Sequence, residues 1–150
     1  MIEINNLTTV PLEEKSLQEL AKKVLTEEGE REKDLSIALV GSGRIRKLNR
    51  KYRGKNRATD VLSFPEAEID LKKFKIGPLK KTKNLGEIII CLKEVKKNAK
   101  RYNADFKTEL NRALIHSLLH LLGYDHEKSE KEAVKMEEKQ NYYLSKLSTG

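Results

Sequence analysis

The sequence predicts an α+β (α/β-like) fold: a single small mixed β-sheet of about four strands packed with helices, around a central buried helix. Three observations carry this. Apolar strand-like runs alternate with helix-period segments and then give way to successive helices, in the order βαβαββααα. The run Ile88-Ile89-Ile90-Cys91 is what a strand covered on both faces looks like. From Ala113 to Leu122 every residue is apolar except His116, Ser117 and His120, a pattern that water on one face would not allow. With 150 residues and neither an internal repeat nor a linker, the chain reads as one domain spanning 1–150.

The elements follow in order. Residues 2–5 (IEIN) form a short strand, and PLEEKSLQELAKKVLTEEG places Leu12, Leu17, Leu20, Ala21, Val24 and Leu25 at helical spacing before Gly29 ends the helix. LSIALV, from Leu35, is a buried strand. Gly41 and Gly43 then make a turn, with Ser42 placed to cap the short basic helix IRKLNRKY that stops at Gly54. GKNRATD is a loop and DVLSF a strand closed by Pro65; the lysine-rich segment 66–84 is an exposed excursion leading to the strand LGEIIICL. KEVKKNAKRYN is a polar helix. Asp105 caps the central helix FKTELNRALIHSLLHLLG, and EKSEKEAVKMEEKQNYYLSKL is a surface helix with Ala133, Val134, Met136 and Leu144 as its apolar residues. Because helices separate the first strands, a parallel pair is expected there.

Composition narrows the function classes. No run of 18 apolar residues and no basic-then-apolar leader occurs, so a cytoplasmic protein without membrane partners is expected. The single Cys91 lies in an apolar strand and reads as a buried core residue. The net charge of +8 is unevenly placed. From Leu35 to Thr59 there is no acid, while Arg44, Arg46, Lys47, Arg50, Lys51, Arg53, Lys55 and Arg57 crowd together; LKKFKIGPLKKTK adds six more lysines. Such patches suit a polyanion, since each neutralised phosphate releases counterions.

The histidines carry the chemistry. HSLLHLLGYDH holds all three histidines of the chain within residues 116–126. Positions four apart on a helix stack on one face, with Cβ atoms about 6 Å apart, so His116 and His120 can reach one metal ion. Gly123 supplies the only place where a sharp reversal is needed for His126 to approach from a third direction. Three neutral imidazoles leave a tetrahedral zinc one open position, as in a catalytic site. The stretch matches the metzincin pattern H-E-x-x-H-x-x-G-x-x-H except at Ser117, where a peptidase keeps the glutamate that serves as its general base. Peptide hydrolysis is therefore disfavoured. A phosphodiester instead needs cations aimed at its phosphoryl oxygens, which one metal ion and the basic loop can provide.

NRKYRGKNRATDVLSFP, LGEIII and HSLLHLLGYDH, in this order along the chain, resemble the YbeY-type bacterial rRNA maturation factors, single-strand-specific metal-dependent endoribonucleases. The resemblance implies one Zn2+ bound by His116, His120 and His126, with His116 and Arg53, the arginine of YRGK, in the catalytic machinery. It also implies rRNA and the ribosome as partners, maturation of the 3′ end of small-subunit rRNA, and ribosome quality control. Glu87 stands where aspartate is usual in that family, and Ser117 where glycine is commoner.

The remaining residues are weighed singly. Arg44, Arg46, Lys47, Arg50, Lys51, Lys55 and Arg57 are the candidate RNA-binding residues. Asp125 either orients a ligand imidazole or holds the turn by bonding backbone N–H groups. Tyr124 is expected to pack behind the turn, and Ser63 and Phe64 to line the cleft. Competing with the endoribonuclease are a noncatalytic ribosome-assembly factor with a structural zinc site and, more remotely, a metzincin-like peptidase.

Overall fold

The computed structural model describes residues 1–66 and 83–147. Four strands, β1 (Ile2–Asn6), β2 (Asp34–Val40), β3 (Val61–Pro65) and β4 (Asn84–Cys91), form one sheet in the order β1-β2-β4-β3. β1 pairs parallel to β2, as the intervening helix requires, and β2 pairs parallel to β4. β3 runs antiparallel on the far edge of β4, so the sheet is mixed. Five helices are described: α1 (Glu14–Glu27), α2 (Ser42–Arg53), α3 (Leu92–Arg101), α4 (Phe106–Leu121) and α5 (Glu130–Leu147).

The sheet separates two apolar clusters, which is why β4 needs no polar face. Ile88 and Ile90 point into the larger cluster, with Leu35, Ile37 and Leu39 of β2 and the buried faces of α1, α3, α4 and α5. Ile89 and Cys91 point the other way, to Ile45 of α2 and to Leu62 and Phe64 of β3. At about 1.5–3 kcal/mol for each large aliphatic side chain buried, these alternating residues fix the register against a one-residue slip. α4 is the hub: it packs on α1, α3, α5, β3 and β4. Asp105 caps it as expected, accepting the Thr108 N–H at 2.7 Å.

Local signals at the other termini fared unevenly. Gly54 closes α2 in the left-handed conformation, φ +70°. Ser42 is not the cap predicted for α2: Gly41 holds that position without a side-chain bond, and the Ser42 hydroxyl turns instead toward Cys91 Sγ at 3.7 Å. On α5, Met136 is buried as an apolar stripe requires, but Val134 is exposed and Tyr143 fills the core. Gly86 has φ +148°, and a Cβ there would come within 2.3 Å of the Phe64 carbonyl oxygen, so β3 and β4 meet at a point only glycine permits. Among the described residues, no helix is long and apolar enough to cross a membrane. Apart from Lys83, the second lysine block lies outside the described residues.

Candidate active site

Where α4 crosses the edge strand β3, the surface opens into a cleft of about 660 Å³. One wall is α4, contributing Glu109, Arg112, His116, Ser117 and His120 at the spacing of a single helical face. The opposite wall is the end of α2 with its following loop and β3, from Arg53 to Ser63. Asn98 of α3 and Tyr102 at its C-cap, His126 with Glu127, and Gln140 of α5 complete it.

The three histidines share this cleft. His116 is half-buried on the middle of α4, whereas His120 and His126 are exposed toward its mouth. The His116 and His126 rings lie 5.4 Å apart, centroid to centroid. Gly123, φ +106°, begins the reversal that brings His126 back, as the sequence required. Asp125 accepts the Glu127 N–H at 2.9 Å and so holds this turn. The contact to an imidazole comes from elsewhere: Gln140 Oε1 lies 2.8 Å from His116 Nδ1. With that carbonyl as acceptor, Nδ1 carries the proton and Nε2 keeps the lone pair. Burial pushes His116 below its ordinary pKa of 6.5; His126 and His120 push the same way, and Gln140 and Asp60 offset part of this. The imidazole is thus neutral at pH 7, the form a metal requires.

Among the described residues, no three His, Cys, Asp or Glu side chains converge tightly enough to hold an ion as they stand. The donor chemistry nevertheless fits one. Three imidazoles face a single cleft, two of them one helical turn apart and the third on a glycine-initiated turn, and one has its outer nitrogen already engaged. Ser117, between His116 and His120, is buried on the cleft wall and carries no base.

The basic residues divide into two groups. Arg53, Lys55 and Arg57 line the cleft, facing the histidines across it. Arg53 is held there: Nη2 donates to the Ser63 carbonyl at 2.9 Å, Nη1 to the Tyr52 carbonyl at 3.2 Å, and the guanidinium lies 4.7 Å from the Phe64 ring centre. Ser63 lines the cleft as predicted. Phe64 does not; strand alternation turns its ring to the α2 side of the sheet, edge-on to Tyr52. Arg44, Arg46, Lys47, Arg50 and Lys51 lie on the exposed face of α2, outside the cleft lining. Arg46 braces the loop by donating to Asn56 Oδ1 at 3.0 Å, and buried Asn49 donates to the Arg57 carbonyl at 2.9 Å.

Sequence reasoning missed Gln140, which lies 24 residues beyond its histidine in a charged helix and carries no local signal. It also missed a carboxylate behind the turn. Tyr124 packs there as expected, but its hydroxyl donates to Glu28 at 2.7 Å, and Glu28 also receives Tyr143 and Lys139.

Known proteins resemble this chain in sequence and in fold. The family described as Endoribonuclease YbeY matches residues 3–148. An endoribonuclease YbeY from Thermodesulfovibrio yellowstonii is 49% identical over 113 residues, covering 75% of this chain and 66% of that protein. The namesake from Alkaliphilus metalliredigens is 36% identical over 147 residues, covering 95% of this chain and 92% of its own. The solution structure of TM1509 from Thermotoga maritima superposes with a TM-score of 0.63 at 36% identity, covering 97% of this chain and 87% of that one.

Proposed function

The chain belongs to the endoribonuclease YbeY family, and on that premise we propose that it is a zinc-dependent endoribonuclease cutting single-stranded RNA in the cleft between α4 and β3. The observation that carries this reading is the pairing of opposite walls: three imidazoles on one side and Arg53, Lys55 and Arg57 on the other, all on one cleft. His116, His120 and His126 would hold the ion. Zinc bound there supplies Lewis acidity toward a phosphoryl oxygen and makes water a stronger acid.

The chain's own residues account for the rest. Arg53, fixed by the Ser63 carbonyl and the Phe64 ring, sets its charge against the phosphoryl oxygens as negative charge builds on them. Its planar fork matches two such oxygens at once. Lys55 and Arg57 hold the backbone on either side. Gln140 keeps the His116 ring in the tautomer that presents Nε2. Ser117 keeps a carboxylate out of the position between His116 and His120, where it would repel the substrate; the acids that line the cleft, Asp60, Glu109 and Glu127, stand elsewhere on its walls, Glu109 paired with Arg112. A structural zinc site would be closed and shielded, whereas His120 and His126 stand at an open mouth, which favours an enzyme over a passive assembly factor. We place its action on rRNA, in maturing the 3′ end of the small-subunit species and in ribosome quality control, in the cytoplasm.

The test uses zinc-loaded protein and the His120→Ala variant on single-stranded and duplex RNA, with metal analysis and mass measurement of the product ends. Cutting confined to single strands, and lost together with stoichiometric zinc in the variant, is the expected result. Unchanged zinc in the variant would show the donor set misassigned.

A further inference from the structure

We propose that Tyr102 and Arg112 form a subsite for one unpaired nucleotide beside the histidines, with the base stacked on the Tyr102 ring and its phosphate held by Arg112. This rests on the RNA-cleaving reading above and specifies how that cleft selects single strands.

Tyr102 ends α3 on the line of the buried stripe Leu92, Val95 and Ala99, yet its side chain leaves the core and lines the cleft, 62% exposed. The backbone pins it in that place. Its N–H donates to the Asn98 carbonyl at 2.9 Å, Asn103 follows in the left-handed conformation at φ +53°, and the Ala104 N–H returns to Ala99 at 2.9 Å. Among the described residues, the Tyr102 side chain makes no hydrogen bond or ring contact. A large aromatic ring on a fixed backbone, largely in water and sharing its cleft with Arg53, Lys55, Arg57 and Arg112 as well as Asp60, Glu109 and Glu127, is a platform of the kind on which single-stranded nucleic acids stack their bases.

Arg112 stands one helical turn before His116, about 6 Å along the axis, on the same face of α4. It pairs with Glu109, whose carboxylate is buried in the cleft wall. A buried acid is tolerated when it is paired, and here it fixes the direction of a half-exposed guanidinium. A guanidinium has five N–H donors, more than one carboxylate oxygen can accept. The geometry therefore continues the cationic track of Arg53, Lys55 and Arg57 onto the histidine wall. A base within a duplex has both faces covered by its neighbours and cannot reach Tyr102. The platform thus rewards unpaired RNA alone.

The experiment measures binding of zinc-loaded protein to a short labelled single-stranded RNA by anisotropy, read before turnover, together with KM and kcat. Tyr102→Ala should raise Kd and KM about tenfold, with kcat and zinc content held, and Tyr102→Trp should restore both. On the same RNA lacking one base, some registers should lose the difference between wild type and Tyr102→Ala. Because Arg112→Ala alone would strand a buried carboxylate, the paired variant Glu109→Gln/Arg112→Gln is used; it should lower the slope of log affinity against log salt by about one phosphate contact. Equal Kd in wild type and Tyr102→Ala, or a Kd increase that Tyr102→Trp does not rescue, overturns the subsite. Wild-type protein that binds single strands without cutting them would refute the enzyme reading and leave the subsite to be judged on these same Kd values. Wild type that binds no single strand overturns both.

Discussion

Gln140 Oε1, on α5, lies 2.8 Å from Nδ1 of His116, on α4, across the interface of the two helices. His116 is thereby oriented by a helix that carries none of the three histidines. An uncharged amide accepts the imidazole proton without adding an anion to a cleft meant for a polyanion. Truncation as Gln140→Ala frees the ring to rotate and to change tautomer. Zinc affinity should fall about 10-fold to 100-fold while stoichiometry at saturating zinc is kept, as read by competition with a chelator. Unchanged affinity would mean that packing alone sets the ring.

Arg53 and Lys51 sit two residues apart on α2 but in different places: Arg53 lines the cleft, and Lys51 lies outside it over the Tyr52 ring at 5.3 Å. Arg53→Ala should cut kcat by about 100-fold or more, the cost of removing one charge-stabilising donor, with zinc retained. Arg53→Lys should recover little, since an ammonium has no planar fork. Lys51→Ala should change only a salt-dependent KM. Equal small losses in both, confined to KM, would reduce Arg53 to one basic residue among several.

Ser117 is buried between His116 and His120 and faces the cleft. Ser117→Glu rebuilds H-E-x-x-H yet should create no peptidase and should slow RNA cleavage. Two like charges about 4 Å apart at an effective dielectric of about 20 repel by about 4 kcal/mol, and half of that already costs more than about tenfold in rate. Assays on single-stranded RNA and on an unstructured protein decide it. Faster RNA cleavage would show that a missing base, not repulsion, limits the natural site.

Glu28, at the end of α1, ties α1 to the histidine turn and to α5 by accepting from Tyr124, Tyr143 and Lys139. Burial pushes its carboxyl up, but these three donors outweigh burial and hold it below its ordinary pKa of 4.5. In return, burial and the carboxylate push the Tyr124 hydroxyl up to about 12. A carboxylate with a depressed folded pKa contributes stability above the unfolded value and loses it as pH falls through the folded one. Glu28→Gln should therefore cost about 2 kcal/mol at pH 7, and the gap from wild type should close as pH falls below 4.5. Urea unfolding across that range measures both. A gap independent of pH would show that the charge of Glu28 contributes nothing.

Much of the molecule was legible because its causes are local in the chain. An N-cap aspartate at position 105, a left-handed glycine at 54, an unbroken apolar run at 88–91 and three histidines at helix-plus-turn spacing each state their structure within a few residues. A helix places i and i+4 together whatever surrounds it. The parallel pairing of β1 with β2 follows in the same way from the helix between them.

Tertiary structure decided what depends on which elements meet. The position of β3 on the outer edge of β4, antiparallel, was not fixed by composition, because the connection between them allows either direction. That placement makes Gly86 indispensable and turns Phe64 away from the cleft while leaving Ser63 inside it. It also divides the basic cluster, since a helix that buries Ile45 and Asn49 against the sheet must send Arg44, Lys47 and Lys51 to solvent and only its far end to the cleft. Gln140 and Glu28 reach their partners across 24 and about 100 residues, distances over which periodicity carries no information. Residue types and spacing named the three candidate histidines; packing between distant segments named the groups that hold such side chains in place.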